Sequence, residues 1–189
     1  MKYSISYIQN NIKQENAKYL YFWGHQPSKD GKITKSCFSQ WWSCTFEIDG
    51  ITYYSAEQYM MAEKAKLFGD HHVREKILQT KHPKEAKNLG RTVSGFQEEI
   101  WIKHRCDIVK RGNVAKFSQN NDLKDFLLQT KDAILVEASP NDNIWGVGLA
   151  ANDPKIKNPN QWQGLNLLGF LLMEIRDEWK VSNNIHSIY

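Results

Sequence analysis

A mainly α-helical single domain, with a short β-hairpin and one additional short strand, is the fold class the sequence predicts. Three observations lead to it. Ser55-Ala-Glu-Gln58 has the form of a capping box, with Ser55 placed to accept from the third helical amide and Gln58 to reach back. Leu168, Leu171, Leu172, Ile175 and Trp179 follow one another at offsets of three, four, seven and eleven from the first, which puts one helix face in a core. Asp49-Gly50 favours the positive φ values of a tight turn and is flanked by the β-type runs Thr45-Phe-Glu-Ile and Ile51-Thr-Tyr-Tyr. With 189 residues and neither an internal repeat nor a low-complexity linker, one domain over 1–189 is the simplest organisation.

Read in order, the chain first offers a loop from Gly24 to Lys35, rich in Lys, Asp, Gly and Ser. After the hairpin, a helix is expected from Ala56 to about Phe68, stopped by Gly69 in a left-handed cap. Asp70 caps a further helix to about Gln79, and His82-Pro83 starts a short one that ends at Gly90. A longer helix is expected from about Gln97 to Phe117, and Asp122 is placed to cap another through Thr130. Ala133-Ile-Leu-Val-Glu-Ala138 reads as a short buried strand. Pro140 to Asn160 is a loop carrying Trp145, and the final helix spans about Leu165 to Trp179, with a loose tail over 181–189.

Composition narrows the function classes. Hydrophobic residues make up 41% and charged residues 24%, ordinary for a soluble protein, and no apolar run approaches the roughly 18 residues of a membrane span. The amino terminus lacks the apolar stretch and cleavage site of a signal peptide, so the expected location is cytoplasmic. Three cysteines, an odd number at low density, argue against a disulfide scaffold, and no clustered Cys/His pattern suggests zinc. No metal and no cofactor is expected, and nothing in the sequence specifies an oligomeric state. Residues 61–120 hold thirteen Lys/Arg against seven Asp/Glu. Such a basic middle suits a phosphorylated ligand or contact with nucleic acid, or is a set of solvated helix faces.

Three constellations could carry chemistry. Glu57, Met61, Lys64 and Phe68 share a helix face, with Glu57 and Lys64 about 10 Å apart along the axis, close enough for long side chains to converge on a sugar. The alternative is a favourable first-turn glutamate and a surface lysine. Glu137 to Gly148 carries Asp142, Trp145 and Gly146 from a strand into a glycine-containing loop, where backbone can approach a ligand; the alternative is a surface turn with Asp142 bonded to nearby amides. The 23 aromatic residues include Tyr21-Phe22-Trp23, Trp41-Trp42, Trp101, Trp145 and Trp162, of which two or three are expected to stack on a planar base and the rest to be core.

Together these segments resemble the YbiA/NADAR family. The matching elements are Phe22-Trp23-Gly24, Cys37 to Trp42, Thr52 to Asp70, Trp101, Leu135 to Ala138, Asp142 to Gly148 and Trp162 to Arg176, in family order over about residues 20–180. The resemblance implies a mainly helical fold and cleavage of the ribose–base N-glycosidic bond. Its implied substrates are early riboflavin-pathway ribosylaminopyrimidine phosphates or ADP-ribosylated guanine of nucleic acid. A non-catalytic ADP-ribose- or NAD-binding module is the alternative. Carried onto matching positions, it makes Glu57, Trp101 and Asp142 active-site residues and Lys64 a further catalytic candidate, so that Glu57, Lys64 and Asp142 are the expected catalytic set. The seven-residue spacing, with Asp142 following a buried strand, puts Glu57 and Lys64 on one pocket and Asp142 across it. Substrate contacts are expected at Phe22, Trp23, Gly24, Trp101, Trp145, Gly146 and Asn166. The carboxylates would stabilise a cationic sugar and activate water, or Lys64 would form a Schiff base with a ring-opened sugar.

Overall fold

Asp49 and Gly50 turn the chain at φ 54° and 75°, as a tight hairpin requires. Strands β2 (Phe46–Ile48) and β3 (Ile51–Tyr53) therefore pair antiparallel, with Phe46 opposite Tyr53 and Ile48 opposite Ile51. The structure is a computed structural model that describes residues 1–12 and 17–186. They form two compact units, Gln40–Asn121 and Met1–Ser39 with Asp122–Tyr189.

In the unit that holds the hairpin, α2 (Ala56–Leu67) is the central element, packed against α3 (His71–Gln79), α4 (Pro83–Gly90) and α5 (Glu98–Ser118). Its cap forms as the sequence expects on one side, because Ser55 Oγ accepts from the Gln58 amide at 3.1 Å. Gln58 reaches back one residue further, its Oε1 accepting from the Tyr54 amide at 2.8 Å. Its Nε2 donates to the carbonyls of Ile77 (3.0 Å) and Thr80 (2.7 Å), so one glutamine ties the head of α2 to the tail of α3. Gly69 closes α2 at φ 72°, and Asp70 caps α3 through its bond from the Val73 amide.

Glycines set how closely this unit packs. A Cβ at Gly112 on α5 would lie 2.5 Å from the Tyr59 ring on α2. At Gly90 it would lie 2.1 Å from Met61 Sδ. Gly90 is thus glycine because α4 presses on Met61; its residue remains helical and Arg91 supplies the cap.

The other unit contains α1 (Ile5–Asn11), β1 (Tyr19–Phe22), α6 (Asn121–Gln129), β4 (Ile134–Glu137) and α7 (Leu167–His186). Asp122 sits within the first turn of α6 and does not cap it, since the helix begins at Asn121. The short strand expected at Ala133–Ala138 forms as β4, and it pairs parallel with β1, Tyr19 opposite Ile134 and Phe22 opposite Glu137. This partner strand and α1 are additions to the elements read from the sequence. The buried leucines Leu168, Leu171 and Leu172, with Ile175, form the inner face of α7, which packs on β4. The helix runs on to His186, past Trp179 where the pattern ends it, so the expected tail is helical over 181–186; positions 187–189 lie outside the described residues. Among the described residues no helix is long and apolar enough to cross a membrane.

Candidate active site

Helix α2 presents Glu57, Met61 and Lys64 along one face, with Phe68 at its C-cap. Glu57 lies in the first turn, 3% exposed, where the helix dipole favours a carboxylate. Its amide donates to the Gln40 carbonyl at 2.8 Å, and the Gln40 side chain accepts from Asn113 Nδ2 at 2.7 Å. Asn113 is itself oriented by its second bond, to the Val109 carbonyl at 2.9 Å. A buried Gln–Asn pair thus fixes the backbone that carries Glu57. Neither amide was singled out by sequence reasoning, because two polar residues 73 positions apart show no common pattern until the fold joins them.

Lys64, two turns further on, is half-buried. Its Nζ donates to the Gly90 carbonyl at 2.8 Å and stands 4.4 Å from the centre of the Phe96 ring and 5.9 Å from that of Trp101. Burial holds its pKa below the ordinary lysine value, because desolvation penalises the ammonium. Phe68 completes the row and meets Phe96 edge-on at 5.2 Å. Lys66, off this face, pairs instead with Glu63 at 3.7 Å. The structure therefore brings together Lys64 and Trp101, and adds Phe96, which the sequence reading passed over. Its one visible signal was an aromatic residue directly after Gly95 in a loop between two helices.

The other expected residues are placed as follows. Phe22, 1% exposed, packs edge-on against Phe38 at 5.5 Å, so its ring serves the core and does not offer a substrate contact. Trp23 beside it is 62% exposed, and Gly24 turns the chain at φ 81°. Asp142 adopts the turn arrangement: its Oδ1 accepts from the amides of Ile144 (2.9 Å) and Trp145 (2.7 Å). Trp145 is half-exposed in the loop so formed.

Gly146 and Asn166 require correction. The backbone approach that Gly146 permits is to its own loop: an added Cβ would lie 2.8 Å from the Glu137 carbonyl oxygen and 3.1 Å from that of Asp142. Asn166 is 0% exposed at φ 53°, and both ends of its amide are engaged within the fold. Oδ1 accepts from the Glu137 amide at 3.0 Å, and Nδ2 donates to the Leu135 carbonyl at 2.9 Å. Ile134 and Ala138 bond towards β1, so Leu135 and Glu137 point to the opposite edge of β4. Asn166 pairs that edge as a strand would. The matched position is a structural one.

The NADAR domain family matches residues 21–180. The chain belongs to the NADAR family. An N-glycosidase of Acanthamoeba polyphaga mimivirus is 46% identical over 169 residues, 87% of this chain and 98% of that protein. The N-glycosidase YbiA of Escherichia coli is 33% identical over 141 residues, 75% of this chain and 79% of YbiA. The NMR structure of E. coli YbiA superposes with a TM-score of 0.70 at 30% identity, covering 88% of this chain and 87% of that one. Maize riboflavin biosynthesis protein PYRR, a much longer chain, is 35% identical over 137 residues, 69% of this chain and 20% of that protein. This NADAR protein has the mainly helical YbiA fold and is an enzyme, a hydrolase of N-glycosyl bonds.

Proposed function

We propose that this NADAR enzyme hydrolyses the ribose–base bond of a phosphorylated ribosyl substrate, with early riboflavin-pathway ribosylaminopyrimidine phosphates preferred over ADP-ribosylated guanine. The observation that carries the assignment of chemistry is the seating of Lys64. A half-buried amine, its pKa lowered by desolvation, stands between two aromatic rings on the α2 face that also bears the buried Glu57. The substrate preference is supported by the likeness to a protein named for riboflavin biosynthesis.

Breaking the C1–N bond leaves positive charge on the sugar and an electron pair on the base nitrogen, which takes up a proton. In this reading the Glu57 carboxylate stabilises that cation or takes the proton of the attacking water. If the sugar opens, the Lys64 amine adds to C1, the base departs as an amine, and water cleaves the lysine imine to free the sugar. The lowered lysine pKa favours this second route. Asp142 is assigned no step here: its Oδ1 accepts from two amides of its own loop. Trp101 offers its ring to the base beside Lys64.

The test is to offer ribosylaminopyrimidine phosphate and ADP-ribosylated guanine separately and to measure released base and reducing sugar. Faster turnover of the former is expected. Turnover confined to ADP-ribosylated guanine would reverse the substrate assignment.

A further inference from the structure

Phe96 is an exposed aromatic ring on a loop that the fold takes trouble to hold still. The segment joins α4 to α5, and Gly95 within it adopts φ 67°. The Asp70 carboxylate that caps α3 also accepts, through Oδ2, from the Ser94 amide (2.9 Å) and the Ser94 hydroxyl (2.8 Å). Phe68, the C-cap of α2, stands against the ring. The side chain remains 43% exposed despite these restraints, so a large part of the ring faces solvent. Such preorganisation of an exposed ring fits a task at the site better than a task in packing.

What the ring meets is the Lys64 ammonium, 4.4 Å from its centre. A lysine amine sits on a flexible four-carbon stem and has no preferred position of its own. Here three groups stand near it: the Gly90 carbonyl accepts one N–H, the Phe96 ring is the nearer aromatic, and the Trp101 indole is farther off. The negative face of an aromatic ring attracts an ammonium, and an aliphatic residue of similar bulk would not. Of the two rings, Phe96 is the nearer and is fixed by the loop restraints just described.

We propose that Phe96 is a positioning residue for the N-glycosidase reaction, seating the Lys64 amine through its ring so that the amine meets the sugar in one geometry. This rests on the reading of Lys64 as a reacting group. A nucleophile displaced by about 1 Å can lose on the order of 100-fold in rate, so a ring that narrows its positions acts on kcat and leaves KM largely alone.

The experiment compares Phe96→Leu, Phe96→Tyr and Lys64→Met in the full chain, with ribosylaminopyrimidine phosphate and ADP-ribosylated guanine as probes and melting temperature recorded for each protein. Phe96→Leu should lower kcat by about tenfold or more with KM within about twofold of wild type. Phe96→Tyr, which keeps the ring face, should restore kcat. Wild-type kcat in Phe96→Leu beside an inactive Lys64→Met would overturn the inference and leave the role of Lys64 standing. A raised KM with unchanged kcat would also overturn it, making Phe96 a binding contact. Full turnover in Lys64→Met would remove the underlying reading, and the inference with it.

Discussion

Replacing Asn166 with alanine distinguishes a residue that binds substrate from one that completes a sheet. Its amide bonds the Glu137 N–H at 3.0 Å and the Leu135 carbonyl at 2.9 Å, both at the edge of β4 turned away from β1. Truncation leaves a buried donor and a buried acceptor unpaired, at about 1–3 kcal/mol each. Asn166 also sits at φ 53°, a left-handed conformation that asparagine tolerates and alanine resists by about 1 kcal/mol. Together the loss is about 3–7 kcal/mol. For a chain of this size each kcal/mol lowers the melting temperature by roughly 2–4 °C, so a fall of about 6–28 °C is expected. Asn166→Gly should recover the conformational part and remain well below wild type, because the two bonds are still missing. Thermal unfolding by circular dichroism measures the fall, and KM determined well below the transition reports on the site. A melting temperature within about 2 °C of wild type together with a tenfold rise in KM would refute the reasoning and return Asn166 to the substrate.

Glu57→Gln preserves shape and removes the negative charge, so kcat should fall by roughly 100-fold or more with the fold intact; activity within about threefold of wild type would show that Glu57 has no catalytic part. Borohydride added during turnover should trap a covalent adduct at Lys64. Because burial lowers the Lys64 pKa, trapping should rise with pH through a midpoint below the ordinary value of about 10.4. Absence of an adduct with an active Lys64→Arg protein would refute the imine route. The Asp70 carboxyl is held below its usual value, chiefly by the Ser94 amide and then by the Val73 amide and the Ser94 hydroxyl. In acid the unfolded chain therefore binds more protons at this group. The stability that Asp70 supplies is complete above the ordinary aspartate pKa of about 3.9 and is lost as pH falls through the depressed folded value. Asp70→Asn should flatten this part of the acid unfolding curve, and an unchanged curve would show that the carboxylate does not anchor the loop.

Local chemistry was sufficient for much of this protein. Asp49-Gly50 dictates a left-handed turn whatever surrounds it, Ser55 and Asp70 cap helices through amides three residues away, and Leu168 to Ile175 mark the inner face of α7 by spacing alone. Glu57 and Lys64 were legible as a pair because a helix fixes the geometry of residues seven apart. Contacts between distant segments were not legible. The parallel pairing of β1 with β4 joins Tyr19 to Ile134, and no periodicity in either strand announces its partner. Gly90 ends α4 as the sequence has it, but its contact with the Met61 side chain was not visible there; Gly146 reads as room for a ligand and is filled by the Glu137 carbonyl. Asn166, within a family-matched segment, turned out to bond the edge of β4. Phe96 gained its place beside Lys64 only when Asp70 fixed the loop that carries it. The sequence by itself determined helices, turns and caps, because their hydrogen bonds close within a few residues. Tertiary structure alone decided which polar groups serve the fold and which remain for chemistry, because that depends on what distant backbone leaves unpaired.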